Sequence, residues 1–185
     1  MNVYDFDKTI YRGDSTLDFY FFCLKRNPAV LLKLPSQLVG GVKYLAGMHG
    51  KTEFKQAFYS FLKILPDTKK CVSDFWHSHE RKLEQWYINQ MSGEDVIISA
   101  SPDFLLRPLC ERLGVTLIAS IVDSETGRCE GRNCYGEEKL LRFRELYKDT
   151  AIDKFYSDSH SDYPLAKIAR ENYIVREGKI LEWEQ

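Results

Sequence analysis

Two carboxylates set two residues apart, Asp5 and Asp7, followed by the hydroxyl of Thr9, stand near the start of this 185-residue chain. Val3, Tyr4 and Phe6 around them are apolar, β-prone residues of the buried-strand type, while Lys8, Thr9 and Gly13 mark where the chain leaves a sheet. The acids therefore belong at the carboxyl end of a strand, the edge of an open α/β sheet where loops fan outward and ligands bind. Both can face one side only if the backbone turns sharply between or after them. Carboxylates brought together repel, so they require a cation or a shared proton. Mg²⁺, which prefers oxygen ligands, meets that requirement. Taken alone, the pattern fits a solvated acidic strand end equally well. The rest of the chain has to decide.

The elements that would position these acids can be read in order. Asp14 or Ser15 caps a helix that carries Leu17, Phe21 and Leu24 at helical spacing and stops at Asn27-Pro28. An apolar stretch over 29–47, interrupted by Pro35 and Gly40-Gly41, is about as long as a membrane span, but Lys33, Gln37 and Lys43 fall inside it. A charge at mid-bilayer costs on the order of 2.5 kcal/mol or more, so the stretch reads as broken amphipathic helices. A helix over 51–65 follows. Another, opened by Pro66-Asp67, carries Val72, Phe75, Trp76, Leu83 and Trp86 on one apolar stripe. Residues 15–91 are thus expected to form an all-helical cap inserted after the first strand, with 1–14 and 92–185 as the core.

The sheet resumes at 95–99, a continuously apolar run suited to a strand covered on both faces. Pro102 opens a helix to 113, a strand over 115–118 follows, and a hairpin extends to 132 with its turn at Thr126-Gly127. A helix over 137–147 carries Lys139 in its first turn, where a cation opposes the helix dipole, which hints at a task beyond stability. A fourth strand over 154–157 ends at Asp158, with Asp162 four residues on. A helix over 163–170 and a hairpin of 173–175 with 179–183 close the chain.

Composition excludes several classes. A hydrophobic content of 44% is that of a globular protein, and a net charge of −1 with mixed signs leaves no electrostatic footprint for nucleic acid. The five cysteines are odd in number and scattered without a C-x-x-C pair, which fits reduced thiols better than a disulfide frame. His77 and His79 lack partners at zinc-ligand spacing. A core strand beginning almost at Met1 leaves no room for a targeting peptide, so the expected address is the cytoplasm.

Four strand ends or adjacent turns now carry complementary polar groups: Asp5, Asp7 and Thr9; Ser99; Lys139; and Asp158 with Asp162. In this the sequence resembles the haloacid dehalogenase (HAD) superfamily of Mg²⁺-dependent phosphatases, whose ordered motifs are D-x-D-x-T, a Ser or Thr after an apolar strand, a Lys, and D-x-x-x-D. All four occur in order, and together they cover nearly the whole chain. The helical insertion between the first two motifs is similar to subfamily IB, that of phosphoserine phosphatase. The resemblance implies a HAD-like Rossmannoid parallel sheet flanked by helices, and hydrolysis of a small phosphorylated substrate.

Under that resemblance, Asp5 is the nucleophile that becomes an aspartyl phosphate. Asp7 protonates the leaving alkoxide and then deprotonates the attacking water. Thr9 holds the turn and orients Asp7. Asp5 and Asp158, with the main-chain carbonyl of Asp7, bind Mg²⁺, and Asp162 ligates it directly or through water. Ser99 donates to a phosphoryl oxygen, and Lys139 neutralises charge on the phosphate and on Asp5. Asp7 also favours ester hydrolysis over dehalogenation, which needs no acid there. Arg12 and Asp14 are candidate substrate-binding residues. Asp14 stands where an acid grips the amino acid in phosphoserine phosphatase, but the helix over 51–65 has no arginine to complete that grip, and Asp14 serves equally as a helix cap. The proline-broken apolar stretch after Arg26-Asn27-Pro28, the run Tyr156-Ser157-Asp158-Ser159 with Asp162 and Pro164-Leu165, and the hairpin tail carry a second resemblance, to phosphatidylglycerophosphatase of the same subfamily. It implies a lipid-phosphate substrate and, since 29–47 is less apolar here, at most interfacial membrane contact. A phosphoaspartate receiver switch shares the acidic cluster, Ser/Thr and Lys, but lacks a helical cap and an acid two residues past the acceptor. A non-catalytic relative is disfavoured because no motif residue is missing.

Overall fold

The computed structural model describes residues 1–183. Among these the strands are, in chain order, β1 (Val3–Tyr4), β2 (Val96–Pro102), β3 (Thr116–Val122), β4 (Cys129–Glu130), β5 (Ile152–Ser157), β6 (Ala169–Arg176) and β7 (Lys179–Glu182). They form a seven-stranded sheet of order β4-β3-β2-β1-β5-β6-β7, in which the five inner strands run parallel and the two edges antiparallel. The strand that carries the first motif is therefore central. The chain steps outward from β1 through β2 and β3, then returns to β1's other side with β5, a reversal of the kind that opens a ligand crevice beyond the strands' carboxyl ends.

Successive residues of a strand point to opposite faces, and both faces here are covered. Val3, Val96, Ile98 and Phe155 pack with Phe143 and Leu165 on one side. Tyr4, Ile97 and Tyr156 pack with Phe19, Trp76 and Leu105 on the other. This two-sided burial accounts for the unbroken apolar run of β2. Register aligns Tyr4 with Tyr156 and Tyr156 with Tyr173, giving a stacked row of rings with centroids 4.9 Å apart at each step.

Five helices lie between β1 and β2: α1 (Ser15–Arg26), α2 (Leu34–Leu45), α3 (Lys51–Tyr59), α4 (Thr68–His79) and α5 (Gln85–Gln90), with 3₁₀ turns at Pro28–Lys33, Ser60–Ile64 and Glu80–Lys82. The flanking layers are completed by α6 (Asp103–Leu113), α7 (Glu137–Tyr147) and α8 (Tyr163–Ala166). The expected class, a parallel α/β sheet flanked by helices with a helical stretch after the first strand, is the one observed. No helix among the described residues is long and apolar enough to cross a membrane.

Four local expectations are corrected. In α1 the buried face is Phe19, Tyr20 and Cys23, while Leu17 and Phe21 are exposed. Gly40-Gly41 does not interrupt a helix: a Cβ on Gly40 would lie 2.4 Å from Ala57 Cβ, so the glycine lets α2 and α3 pack closely. The stripe from Val72 to Trp86 is shared between α4, a 3₁₀ turn and α5. The helix expected over 163–170 stops at Ala166, because Ala169 already pairs with Ile152 in the β5–β6 ladder.

The β3–β4 turn rests against the end of α3. Gly127 has φ +71°, and a Cβ there would fall 2.3 Å from the Tyr59 carbonyl oxygen. Gly127→Ala combines a disfavoured backbone conformation with overpacking, and we expect a loss of about 1–3 kcal/mol, read as a lower melting temperature.

Candidate active site

Asp5 N–H donates to Tyr156 O at 2.8 Å, which extends the β1–β5 pairing one residue past Tyr4. The chain then folds back on itself. Phe6 O accepts from Ile10 and Tyr11 N–H at 3.1 and 3.0 Å, and Lys8 adopts a left-handed φ of 58°. This is the sharp turn that two acids at alternate positions require, and both Asp5 and Asp7 line one cavity of about 380 Å³. Ser99, Lys139, Asp158 and Asp162 line it too. The residues come from the ends of the adjacent strands β2, β1 and β5 and from the first turn of α7.

Lys139 is the centre of the arrangement. Its side chain, 2% exposed as a residue, donates from Nζ to Asp5 Oδ1 at 2.6 Å and to Asp162 Oδ2 at 2.7 Å. Ser157 Oγ donates to the same Asp162 oxygen at 2.8 Å. Burial works against the ammonium, but Asp5 and Asp162 outweigh it, and its pKa is raised. Burial also pushes the Asp5 carboxyl up; Lys139 opposes this, and Asp162 and Asp158 add to it. Asp158 is likewise raised, by burial first and by Asp162, with Lys8 opposing. The ion-paired Asp5 carboxyl still shifts upward because burial, the largest influence, outweighs Lys139, and Asp162 and Asp158 reinforce it.

Asp7 is held differently. Ser15 N–H donates to its Oδ1 at 2.6 Å and Ser101 Oγ donates to its Oδ2 at 2.5 Å. Burial, and then the charge of Asp14, push its carboxyl up to about 6, with Ser101 and Ser15 opposing. Thr9, expected to orient Asp7, instead reaches Asp5 Oδ2 at 3.4 Å, because the turn points its buried hydroxyl back along β1. Ser99 Oγ accepts from Ser101 N–H at 3.1 Å, which leaves its own proton to be donated into the cavity.

The candidate substrate residues separate. Asp14 caps α1, its Oδ1 accepting from Leu17 N–H at 3.0 Å, and it also lines the cavity. Arg12 is not brought into the cavity. Its exposed guanidinium donates to Arg81 O at 2.7 Å and lines an adjoining recess. Sequence reasoning missed Ser101, Ser15 and Ser157, and also the wall formed by Phe54, Phe58, Tyr59 and Tyr135. Ser101 was the most accessible of these, since in Ser-Ala-Ser two hydroxyls fall on the same side of a strand's end.

The donor set is tested by its unmet demands. Asp162 Oδ1 is buried with no hydrogen-bond partner, and the acids around it exceed the buried positive charge. Such a site fits a small cation, and an all-oxygen donor set fits a hard one such as Mg²⁺. Among the described residues no three acidic, histidine or cysteine side chains converge as a ready-made cluster.

Comparison with known proteins agrees with this layout. Protein CicA of Caulobacter vibrioides is 34% identical over 92 residues, 45% of this chain and 41% of that protein. A histidinol-phosphatase of Neisseria meningitidis is 24% identical over 144 residues, 69% of this chain and 65% of that protein. Each match spans less than two thirds of the relative. The solved structure of a protein of unknown function from Bordetella pertussis superposes with a TM-score of 0.72 over 93% of this chain and 87% of that one, at 21% identity, a likeness of fold. The model of the haloacid dehalogenase-like hydrolases matches residues 3–167, from β1 past the last acidic motif. The chain belongs to the haloacid dehalogenase-like hydrolase family.

Proposed function

We propose that this hydrolase is a Mg²⁺-dependent phosphatase that cleaves a phosphate monoester of a small metabolite through an aspartyl phosphate on Asp5. The observation that carries the reading is the buried Lys139 ammonium held between Asp5 Oδ1 and Asp162 Oδ2 on the wall of a cavity that Asp7 also faces. An ammonium there is placed to offset charge on both the nucleophile and an incoming phosphate. The name of the Neisseria relative, a histidinol-phosphatase, supports a phosphate monoester as the class of substrate.

In this reading an Asp5 oxygen attacks phosphorus, the ester P–O bond breaks, and Asp7 gives its proton to the departing oxygen. Asp7 then takes a proton from water as that water attacks the phosphoaspartate, releasing inorganic phosphate and regenerating Asp5. The raised pKa of Asp7 and its two fixed hydrogen bonds suit a group that must both hold and return a proton at a set position. Ser99 donates to a phosphoryl oxygen. Asp5, Asp158 and the Asp7 carbonyl, with Asp162 alongside, would hold Mg²⁺, which when bound neutralises phosphoryl charge. We take residues 15–91 as the cap over a core of 1–14 and 92–185, and the aromatic wall of Phe54, Phe58 and Tyr59 as its contribution to leaving-group selection. Five unpaired cysteines support a reducing address, the cytoplasm.

Phosphate release from a panel of phosphorylated metabolites and lipid phosphates with Mg²⁺, against an EDTA control, tests this. We expect release from at least one monoester and its loss in EDTA. Release that survives EDTA would overturn the metal requirement, and no release from any monoester with Mg²⁺ would overturn the phosphatase.

A further inference from the structure

We propose that the outward face of α2 docks on the surface of an anionic lipid bilayer. This helix is amphipathic in the inverse sense. Leu34, Leu38, Val42 and Leu45 recur at spacings of about one helical turn and so share one stripe. That stripe faces solvent, with Leu38 61%, Val42 65% and Leu45 86% exposed. The inward side is the one with small and polar residues: Gly40 against Ala57, Gly41 near Phe54, and Gln37 donating to Phe58 O at 2.8 Å. Leu31 and Leu32 in the preceding 3₁₀ turn, and Met48 after the helix, continue the exposed apolar surface. Large apolar side chains are exposed elsewhere too, as at Phe21 and Leu146, but residues 31–48 concentrate them, and a concentration of this kind marks an interaction site.

Charge selects the occupant. Residues 19–52 contain Lys25, Arg26, Lys33, Lys43 and Lys51 and not one carboxylate, in a chain whose overall charge is −1. Arg26 is paired with Asp74, and no ion pair is found for Lys25, Lys33 or Lys43 among the described residues. An exposed apolar stripe on a helix with Lys33 before its first turn and Lys43 in its last, within a run of chain free of carboxylates, is the pattern of a helix lying in the headgroup plane of an anionic membrane. A second copy docking isologously would set this basic, carboxylate-free segment against itself. The helix is too short and too flanked by charge to enter as a span.

The full chain is tested by co-sedimentation with vesicles of phosphatidylglycerol and phosphatidylcholine in about equal amounts. We expect wild type to sediment with them, the bound fraction to fall at least about tenfold on phosphatidylcholine alone, and added salt to weaken binding. The double variant Leu38→Glu with Val42→Glu should lose binding by a similar factor while keeping the wild-type melting temperature and aryl-phosphatase rate, because both side chains are exposed and outside the catalytic cavity. Wild type that stays in the supernatant, or a double variant that still sediments, overturns the proposal. So does a wild-type dimer in sedimentation velocity that the double variant converts to monomer, which would assign the face to a second copy. The phosphatase reading is tested separately: a chain that binds vesicles and releases no phosphate keeps this proposal and loses that one.

Discussion

Asp5→Asn should leave a folded protein that no longer turns over an aryl phosphate. Replacing one carboxylate oxygen by an amide removes the nucleophilic charge without changing size. The amide oxygen still accepts from Lys139 Nζ, and Lys139 keeps Asp162 at 2.7 Å, so no buried cation is stranded. We expect a rate loss of at least about 10⁴-fold, as when an attacking residue is removed from a preorganised site, with a melting temperature within a few degrees of wild type. A variant that keeps more than a small fraction of the wild-type rate would remove Asp5 from the role of nucleophile.

Lys139→Met should fail in both respects. The substitution keeps the length of the stem and deletes the charge that holds Asp5 and Asp162 together in a site only 2% exposed at Lys139. Breaking a buried ion pair from one side costs about 3–5 kcal/mol, because the partners stay buried without compensation. For a chain of this size that corresponds to roughly 6–20 °C in melting temperature. Phosphatase activity should fall at the same time by about 10²–10³-fold or more, the scale for removing a fixed electrostatic donor. In EDTA the variant should also depend on pH more steeply than wild type. Burial already raises Asp5, and without Lys139 opposing it the folded protein binds a proton there more tightly than the unfolded chain does. Stability then falls as pH rises through the range above an ordinary carboxylate and is recovered on acidification. Thermal melts of variant and wild type at several pH values check this; a variant no steeper in its pH dependence than wild type would show that Lys139 does not offset Asp5 in the fold.

How far the sequence alone carries depends on what fixes each residue. Asp5, Ser99, Lys139, Asp158 and Asp162 were legible because their chemistry is carried by residue type and their placement by strand ends, which apolar runs mark well. Lys139 was legible for a further reason: a cation in a helix's first turn is out of place unless something anionic faces it, and Asp5 and Asp162 do. Ser101 and Ser15 escaped because their bonds to Asp7 depend on how the turn after Phe6 brings that acid against α1 and the end of β2. Thr9 was assigned to the wrong acid for the same reason. Helical periodicity located α1 and α2 but not their buried sides. In α1 the residues at helical spacing, Leu17 and Phe21, face solvent because aromatic packing at Phe19 and Tyr20 turns the other side inward, and in α2 the close approach at Gly40 decides the inward side.

The contact between Gly127 and Tyr59 reaches beyond stability. Tyr59 is part of the cavity wall, and its carbonyl is the atom against which the β3–β4 turn rests. A turn more than sixty residues away in sequence thus backs one residue of the cavity wall. Side-chain volume introduced at residue 127 would press on the backbone of Tyr59, so a change made in the β3–β4 turn is felt at the wall of a cavity it does not line.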